Sequence, residues 1–431
     1  MQTKGGVDVR QGLVGALAFA LAGFLAPACN NKMPTATDAA SAAQTTVAVA
    51  AAPSAPTTAS ALPPPPTVHT VVAREQNQPV ALRADAANIY WVNHGLDAAG
   101  KEVPNAGSVM LAPKDGGSPV VIAAKQDSPT AVGVDAAAVY WTVSNGVRRA
   151  PIGGGSPTTL FALPAGAGMP VSLVVMDKEV LIGVLHMTRG GVYRVAKTGG
   201  GKPVWGGNED EGFPAWGLAP WNTYVFVCNG DGSTLGRAHL SMHALSIVVE
   251  QLGGCHSLTY DSDAMYWGDD GGHVRRLPFL GTGTPELARR MMQSLAEAKD
   301  LEEVAVDDAY VYWTEKAAGR IVRVPKKGGS ESVVVDGLRA PQALAVDDHY
   351  VYWAEPSSGM VSKAPKSAEA AAAIAARPAP PARPTPAPAA VPPPPVRLPG
   401  GAKCPPGRVV YQDCMHACIG PDGCCAPGCT W

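Results

Sequence analysis

Two nearly identical twelve-residue segments lie forty residues apart in this chain: VAVDDAYVYWTE from Val304 and LAVDDHYVYWAE from Leu344. Between them come an alternating apolar run opened by Gly319, a Lys-Lys-Gly-Gly turn ending at Gly329 and a second apolar run, Ser332–Val335. Alternation marks strands and glycine pairs mark the tight turns between them, so each copy opens a unit of short strands. One such unit cannot bury its own apolar faces and folds only by packing against its neighbours. The repeat therefore confines the chain to an array of small, similar sheets.

The anchor of the unit is an apolar strand, an Asp, two or three small or polar residues, and then an apolar residue followed by Tyr-Trp. It recurs as Asp85 with Tyr90 and Trp91, Asp135 with Tyr140 and Trp141, Asp261 with Tyr266 and Trp267, Asp307 with Tyr312 and Trp313, and Asp347 with Tyr352 and Trp353. Two intervening segments, Ser172–Ile182 and Leu218–Val227, keep the phase without the full motif. The count is seven units, which predicts an all-β, seven-bladed β-propeller over residues 68–366. The strand before each Asp is continuously apolar, as an innermost strand packed on both faces requires. The Asp is expected to accept backbone N–H groups in the turn that follows, and the rings to fill the wedges between blades. The seventh unit ends near Lys366 after only three strands, whereas Val68–Ala73 is a strand without a unit. That N-terminal strand is predicted to complete the last blade, leaving no open edge at the seam.

Tyr312-Trp-Thr-Glu, Tyr140-Trp-Thr and the Asp ahead of each carry a family resemblance. The repeat is similar to the YWTD-type propellers of lipoprotein-receptor ectodomains and to bacterial secreted or lipoprotein propellers with related repeats. It departs from the receptor domains in having more blades, and in placing Glu315 or Val143 where their Asp follows Thr. The resemblance implies the propeller and leaves the ligand open.

Charged residues make up 16% of the chain and the net charge is −2, which excludes a polybasic nucleic-acid binder. Lys4 and Arg10 flank the start of an apolar stretch, Gly12–Leu25, that ends in Ala-Pro-Ala, so residues 1–28 read as an export signal peptide. Cys29 follows at once, as the acylated cysteine of a bacterial lipoprotein would; cleavage before a chance cysteine is the alternative. Of nine cysteines, setting Cys29 aside leaves Cys228 and Cys255 inside the repeats and six at the C-terminus. Even numbers suit disulfides in an oxidising compartment, and Cys228 and Cys255 are expected to join adjacent blades. Residues 29–67 and 367–403 are Ala/Thr/Pro and Pro/Ala-rich segments too poor in large apolar side chains to fold, a tether and a linker. Residues 404–431, with Cys404, Cys414, Cys418, Cys424, Cys425 and Cys429, read as a disulfide module, or else as a zinc site using His416. The chain is thus expected in the bacterial cell envelope, held to a membrane through Cys29.

No catalytic, phosphate-binding or metalloprotease motif occurs, so no catalytic residue, cofactor or metal is assigned. The loops after the Tyr-Trp strands, together with the connections into each first strand, should emerge on one rim. That rim carries His94, Asn145, His186, Asn229, Asp231, His256, Asp269, Asp270, Glu315 and Glu355 and is the expected ligand face. Trp205, Phe213, Trp216 and Trp221 with Glu209, Asp210 and Glu211 form either a sugar- or peptide-binding loop or simply a divergent blade. The expected function is non-catalytic: a cell-envelope binding or scaffold lipoprotein presenting the propeller to a protein or a glycan. The alternative is a secreted propeller lyase or hydrolase with its site at the polar rim, which would require perturbed carboxylates or histidines converging on the central channel.

Overall fold

The computed structural model describes residues 69–372, apart from 98, 187–189, 207–212, 231–232, 242–244 and 368–369. The expected signal segment, Cys29, the tether, most of the linker and the cysteine-rich module lie outside the described residues. So do Asp231, Glu209, Asp210 and Glu211, and of Trp205 and His256 only the backbone is described.

Seven four-stranded antiparallel sheets make seven blades. Blades 1 to 6 take their strands in sequence order and span residues 79–126, 132–162, 169–206, 215–250, 256–297 and 301–335. Blade 7 is built from Leu344–Val346, Tyr350–Glu355 and Met360–Pro365, and its fourth strand is Thr70–Ala73 from the start of the domain. The expected closure is therefore observed, with Thr70 opposite Lys363 and Ala73 opposite Val361. One addition was not legible: blade 5 carries a short helix, Pro285–Met291, between its third and fourth strands, with Thr284 capping the Leu287 N–H.

Tyr and Trp are consecutive on a strand, so they point to opposite faces of their blade. Trp141 of blade 2 accordingly shares a core with Tyr90 of blade 1, Trp313 of blade 6 with Tyr266 of blade 5, Trp353 with Tyr312, and Trp91 with Tyr352 across the seam. Where the motif is divergent, smaller residues keep the same places. Ile182 faces Tyr140, and Val227 faces Leu181. All five motif tryptophans are fully buried, and truncating any of them to Ala would cost roughly 3–5 kcal/mol.

The Asp of the motif does more than close a turn. In blades 1, 2, 5, 6 and 7 its Oδ1 accepts two backbone N–H bonds of 2.7–2.9 Å. Its Oδ2 accepts the motif Tyr hydroxyl at 2.6–3.0 Å. In four cases that oxygen also takes a Lys from the next blade around the ring: Lys197 on Asp135 and Lys326 on Asp261 at 2.6 Å, Lys366 on Asp307 at 2.5 Å, and Lys114 on Asp347 across the seam. A second tie runs the other way. Arg149, Arg194, Arg237 and Arg323 each donate to a backbone carbonyl of the following blade. Between blades 4 and 5 an aromatic joint stands in for the lysine, with Phe279 stacked on Trp221 at 5.0 Å between ring centres.

These joints set an acid limit. Burial pushes the carboxyls of Asp85, Asp135, Asp261, Asp307 and Asp347 up, but the backbone and tyrosine bonds, with a lysine bond in all but Asp85, outweigh it and hold each below 3.8. Asp135 lies at about 2. A group whose folded pKa is depressed contributes stability above its unfolded pKa and loses it as pH falls through the folded one. Read as urea midpoints, the contribution of these five carboxyls should thus be flat down to about pH 4 and fall steeply towards about pH 2, with Asp135 alone contributing on the order of 2 kcal/mol. In Asp135→Ala that part of the acid slope should vanish, and an unchanged slope would contradict the assignment.

Cys228, at the rim end of a blade 4 strand, and Cys255, just ahead of blade 5, are both buried with Cα atoms 5.8 Å apart, and the structure pairs them. A link between residues 27 apart would contribute about 3 kcal/mol on the chain-entropy estimate. Non-reducing peptide mapping should return one Cys228–Cys255 linked peptide; two alkylatable thiols would refute it.

Candidate functional site

The rim expected to face a ligand is acidic in sequence, and the structure shows where that acidity goes. Glu315 and Glu355 are each 2% exposed and stand two residues after a motif Trp. The Trp313 indole N–H donates to Glu315 Oε1 at 3.1 Å, and that of Trp353 to Glu355 Oε1 at 3.0 Å. The other Glu315 oxygen accepts Arg320 Nε at 2.5 Å, and the other Glu355 oxygen accepts the Arg339 N–H at 3.0 Å. In blades 1 and 2 the same indole N–H donates instead to Gln76 and Gln126, at 3.0 and 2.9 Å. A buried indole N–H needs an acceptor, and these side chains supply it. In blade 5 the residue at that place is Asp269, one methylene shorter. It accepts from the His273 N–H and Nδ1 at 2.9 Å and from Arg275 Nε at 2.6 Å, while the Trp267 indole N–H has no partner among the described residues.

The remaining rim positions come from separate blades. His94 is buried, and its Nδ1, 3.1 Å from the Pro129 carbonyl, must be the donor; its Nε2 lies 3.5 Å from Glu102. His186 follows the second strand of blade 3, and Asn145 caps the Leu163 N–H through its carbonyl. Asn229 ends the second strand of blade 4 with a buried Oδ1 that meets no donor among the described residues. His256 opens the first strand of blade 5, paired with Gly268. Asp270 is exposed, and its N–H donates to the Gly253 carbonyl at 2.6 Å. Among the described residues these side chains gather into no metal-ligating group.

A second constellation was missed by sequence reasoning. First strands of neighbouring blades touch all the way round the ring, so the seven of them wall a central channel. Near the rim end several of these strands bulge, the pairing skipping between Pro79 and Ala81, Ala215 and Gly217, His256 and Thr259, and Leu301 and Val304. A bulge breaks the side-chain alternation and re-aims residues. The blade 5 bulge contains Ser257 at φ +50°, a left-handed conformation that costs energy for any residue but glycine. Ser257 Oγ accepts the Val304 N–H at 2.7 Å and hydrogen-bonds the Glu303 carboxyl.

Burial pushes the Glu303 carboxyl up to about 7; the Arg83 guanidinium and the Ser257 bond draw it down, and Glu302 adds a further upward push. Burial also raises the Tyr260 phenol, again opposed by Arg83. Arg83 belongs to blade 1, whereas Tyr260 and Glu303 belong to blades 5 and 6. Blade 1 borders neither, so its charge acts on them across the channel. The signal available in the sequence was the polar intrusion: Arg83 in PVALRA, and Glu302 with Glu303 in LEEVAV, interrupt strands that elsewhere are apolar.

No family model and no curated protein matches the chain. Among solved structures it is similar to a catalytically inactive virginiamycin B lyase from Staphylococcus aureus with quinupristin, at TM-score 0.56 and 12% identity over 69% of this chain and 98% of that one. Looser likenesses are to a chain of a nidogen/laminin complex (TM-score 0.41, 16% identity, 60% and 92% covered) and to BamB from Moraxella catarrhalis (TM-score 0.44, 17%, 69% and 100%). At these identities the likeness is one of fold, and the last two superpose too loosely to bear on anything finer.

Proposed function

We propose that the protein is a non-catalytic binding propeller of the bacterial cell envelope, exported, held to a membrane by acylated Cys29, and presenting its rim to a protein or glycan. The YWTD-type resemblance belongs to this reading. One observation supports it above the rest. The rim's buried carboxylates are fixed in separate blades, Glu315 and Glu355 as indole acceptors and Asp269 by His273 and Arg275, rather than converging as an acid–base pair, which leaves a broad, preorganised polar surface. Such a surface recognises by shape and hydrogen bonding and does no chemistry.

The test uses the full-length chain as bait in envelope extracts beside a variant carrying Asp270→Arg and His186→Glu. The wild type should enrich one partner or glycan fraction at least tenfold over the rim variant. Equal recovery by both would overturn the rim reading. In the same cells, labelled palmitate should enter the wild type and not Cys29→Ser; an unlabelled wild type would remove the anchor.

The enzymatic alternative has one observation in its favour, the Glu303 carboxyl titrating near neutrality inside the channel, where a general acid or base would.

A further inference from the structure

We propose that the central channel binds a small zwitterion, an amino acid or a short peptide, with Arg83 taking its carboxylate and Glu303, oriented by Ser257, taking its ammonium. This site is distinct from the rim and does not depend on the rim's having a macromolecular ligand.

The wall of the channel is the first ground. Val132–Val134 of blade 2, Leu344–Val346 of blade 7 and much of Met169–Val175 of blade 3 are apolar or small, and their larger side chains pack between blades. Against that background a guanidinium, a phenol and a carboxyl are exceptions, and they come from blades 1, 5 and 6. An apolar enclosure with a few convergent polar groups is the usual form of a small-molecule site.

The second ground is that the two opposite charges are left apart. Arg83 is exposed, and its Nη1 donates to the Leu82 carbonyl at 2.7 Å. Neither Arg83 nor Glu303 forms an ion pair with a described residue; Glu303 is held by Ser257 instead. Facing charges that do not meet define a span, and a ligand bearing the complementary pair fills it. The guanidinium fork fits a carboxylate through two parallel bonds. An ammonium offers up to three donors to Glu303, and it favours the ionised carboxylate that burial opposes.

The third ground is strain. Ser257 occupies a left-handed conformation, and its hydroxyl bonds Glu303 while accepting the Val304 N–H. Backbone strain of this kind persists where the surrounding structure fixes a group for use. Here it fixes the direction of the Glu303 carboxyl.

Calorimetric titration of the full-length protein at neutral pH decides the matter. The probes are glycine, diglycine and triglycine, each beside its N-acetylated and C-amidated form. At least one zwitterion should bind tenfold or more tightly than both of its single-charge analogues, and which one separates a free amino acid from a peptide. Arg83→Ala and Glu303→Gln should each weaken that binding at least tenfold while melting as the wild type does. Should either variant fail to fold, the analogue comparison on the wild type still stands alone. The proposal is overturned if no zwitterion outbinds its analogues, or if binding survives both substitutions. Capture by the rim, read with the Asp270 and His186 variant, is unaffected by either outcome.

Discussion

Excising residues 69–77 from the full-length chain should lower its stability by roughly 5 kcal/mol, which for a domain of this size shifts the melting temperature by roughly 10 °C. The loss has three parts. Thr70–Ala73 no longer pairs with Met360–Pro365, so the edge of blade 7 is bared. Ala73 and Val72 leave the apolar core shared by Trp91 and Tyr352, and His69 leaves the edge of the Trp353 ring. Gln76 goes as well. Its N–H donates to the Gly359 carbonyl at 2.9 Å, and its Oε1 accepts both the Trp91 indole and Asn93 at 3.0 Å. Blade 1 therefore keeps its Trp with a buried N–H unmatched, which costs more than the bond itself was worth. Denaturant midpoints and calorimetry read the effect. An unchanged melting curve would mean that the ring closes some other way.

Asp307→Ala should cost about 3 kcal/mol, and Asp85→Ala distinctly less. Both carboxylates accept two turn N–H groups and a Tyr hydroxyl. Only Asp307 also holds a lysine of the next blade, Lys366, in a pair whose side chains are 12% and 17% exposed. Removing Asp307 thus strands a largely buried ammonium. Lys366 would regain water only by abandoning the blade 6–7 joint, where its carbonyl also accepts Arg323. A double-mutant cycle with Lys366→Met isolates the inter-blade share, since the lysine's desolvation no longer counts when it is absent. Equal losses at Asp85 and Asp307 would show that the lysine contributes nothing.

Blade number, phase and closure were legible because they depend on features with a fixed period: the Asp, the Tyr-Trp pair and the apolar strand before them. Ser172–Ile182 and Leu218–Val227 could be placed without their aromatics because wedge packing needs volume at a position, which Ile182 and Val227 supply. The joints were half legible. Pro-Lys after the third strand recurs at Lys114, Lys326 and Lys366, yet nothing in a linear pattern says that each lysine reaches the Asp of the preceding blade. The rim was read as a recognition face because carboxylates in loops are usually solvated. Trp-x-Glu at Trp313 and Trp353 was the sign that these two cap indoles instead. The channel cluster was least legible of all, since Arg83 lies far along the chain from Tyr260 and Glu303 and comes opposite them only when the ring is shut. The blade 5 helix has no counterpart in other units, so no repeat could announce it.

The closure also decides how the ring responds to tension. Thr70 lies opposite Lys363, so the chain entering the domain and the chain leaving it do so side by side, at one end of a single antiparallel pair. A pull between the two flanks acts on that pair alone, and its hydrogen bonds are loaded one after another rather than together. The pair should unzip at low force while the other six blades bear none of the load. A ring hauled from both flanks would open at its seam and remain otherwise folded, ready to close again when the pull relaxes.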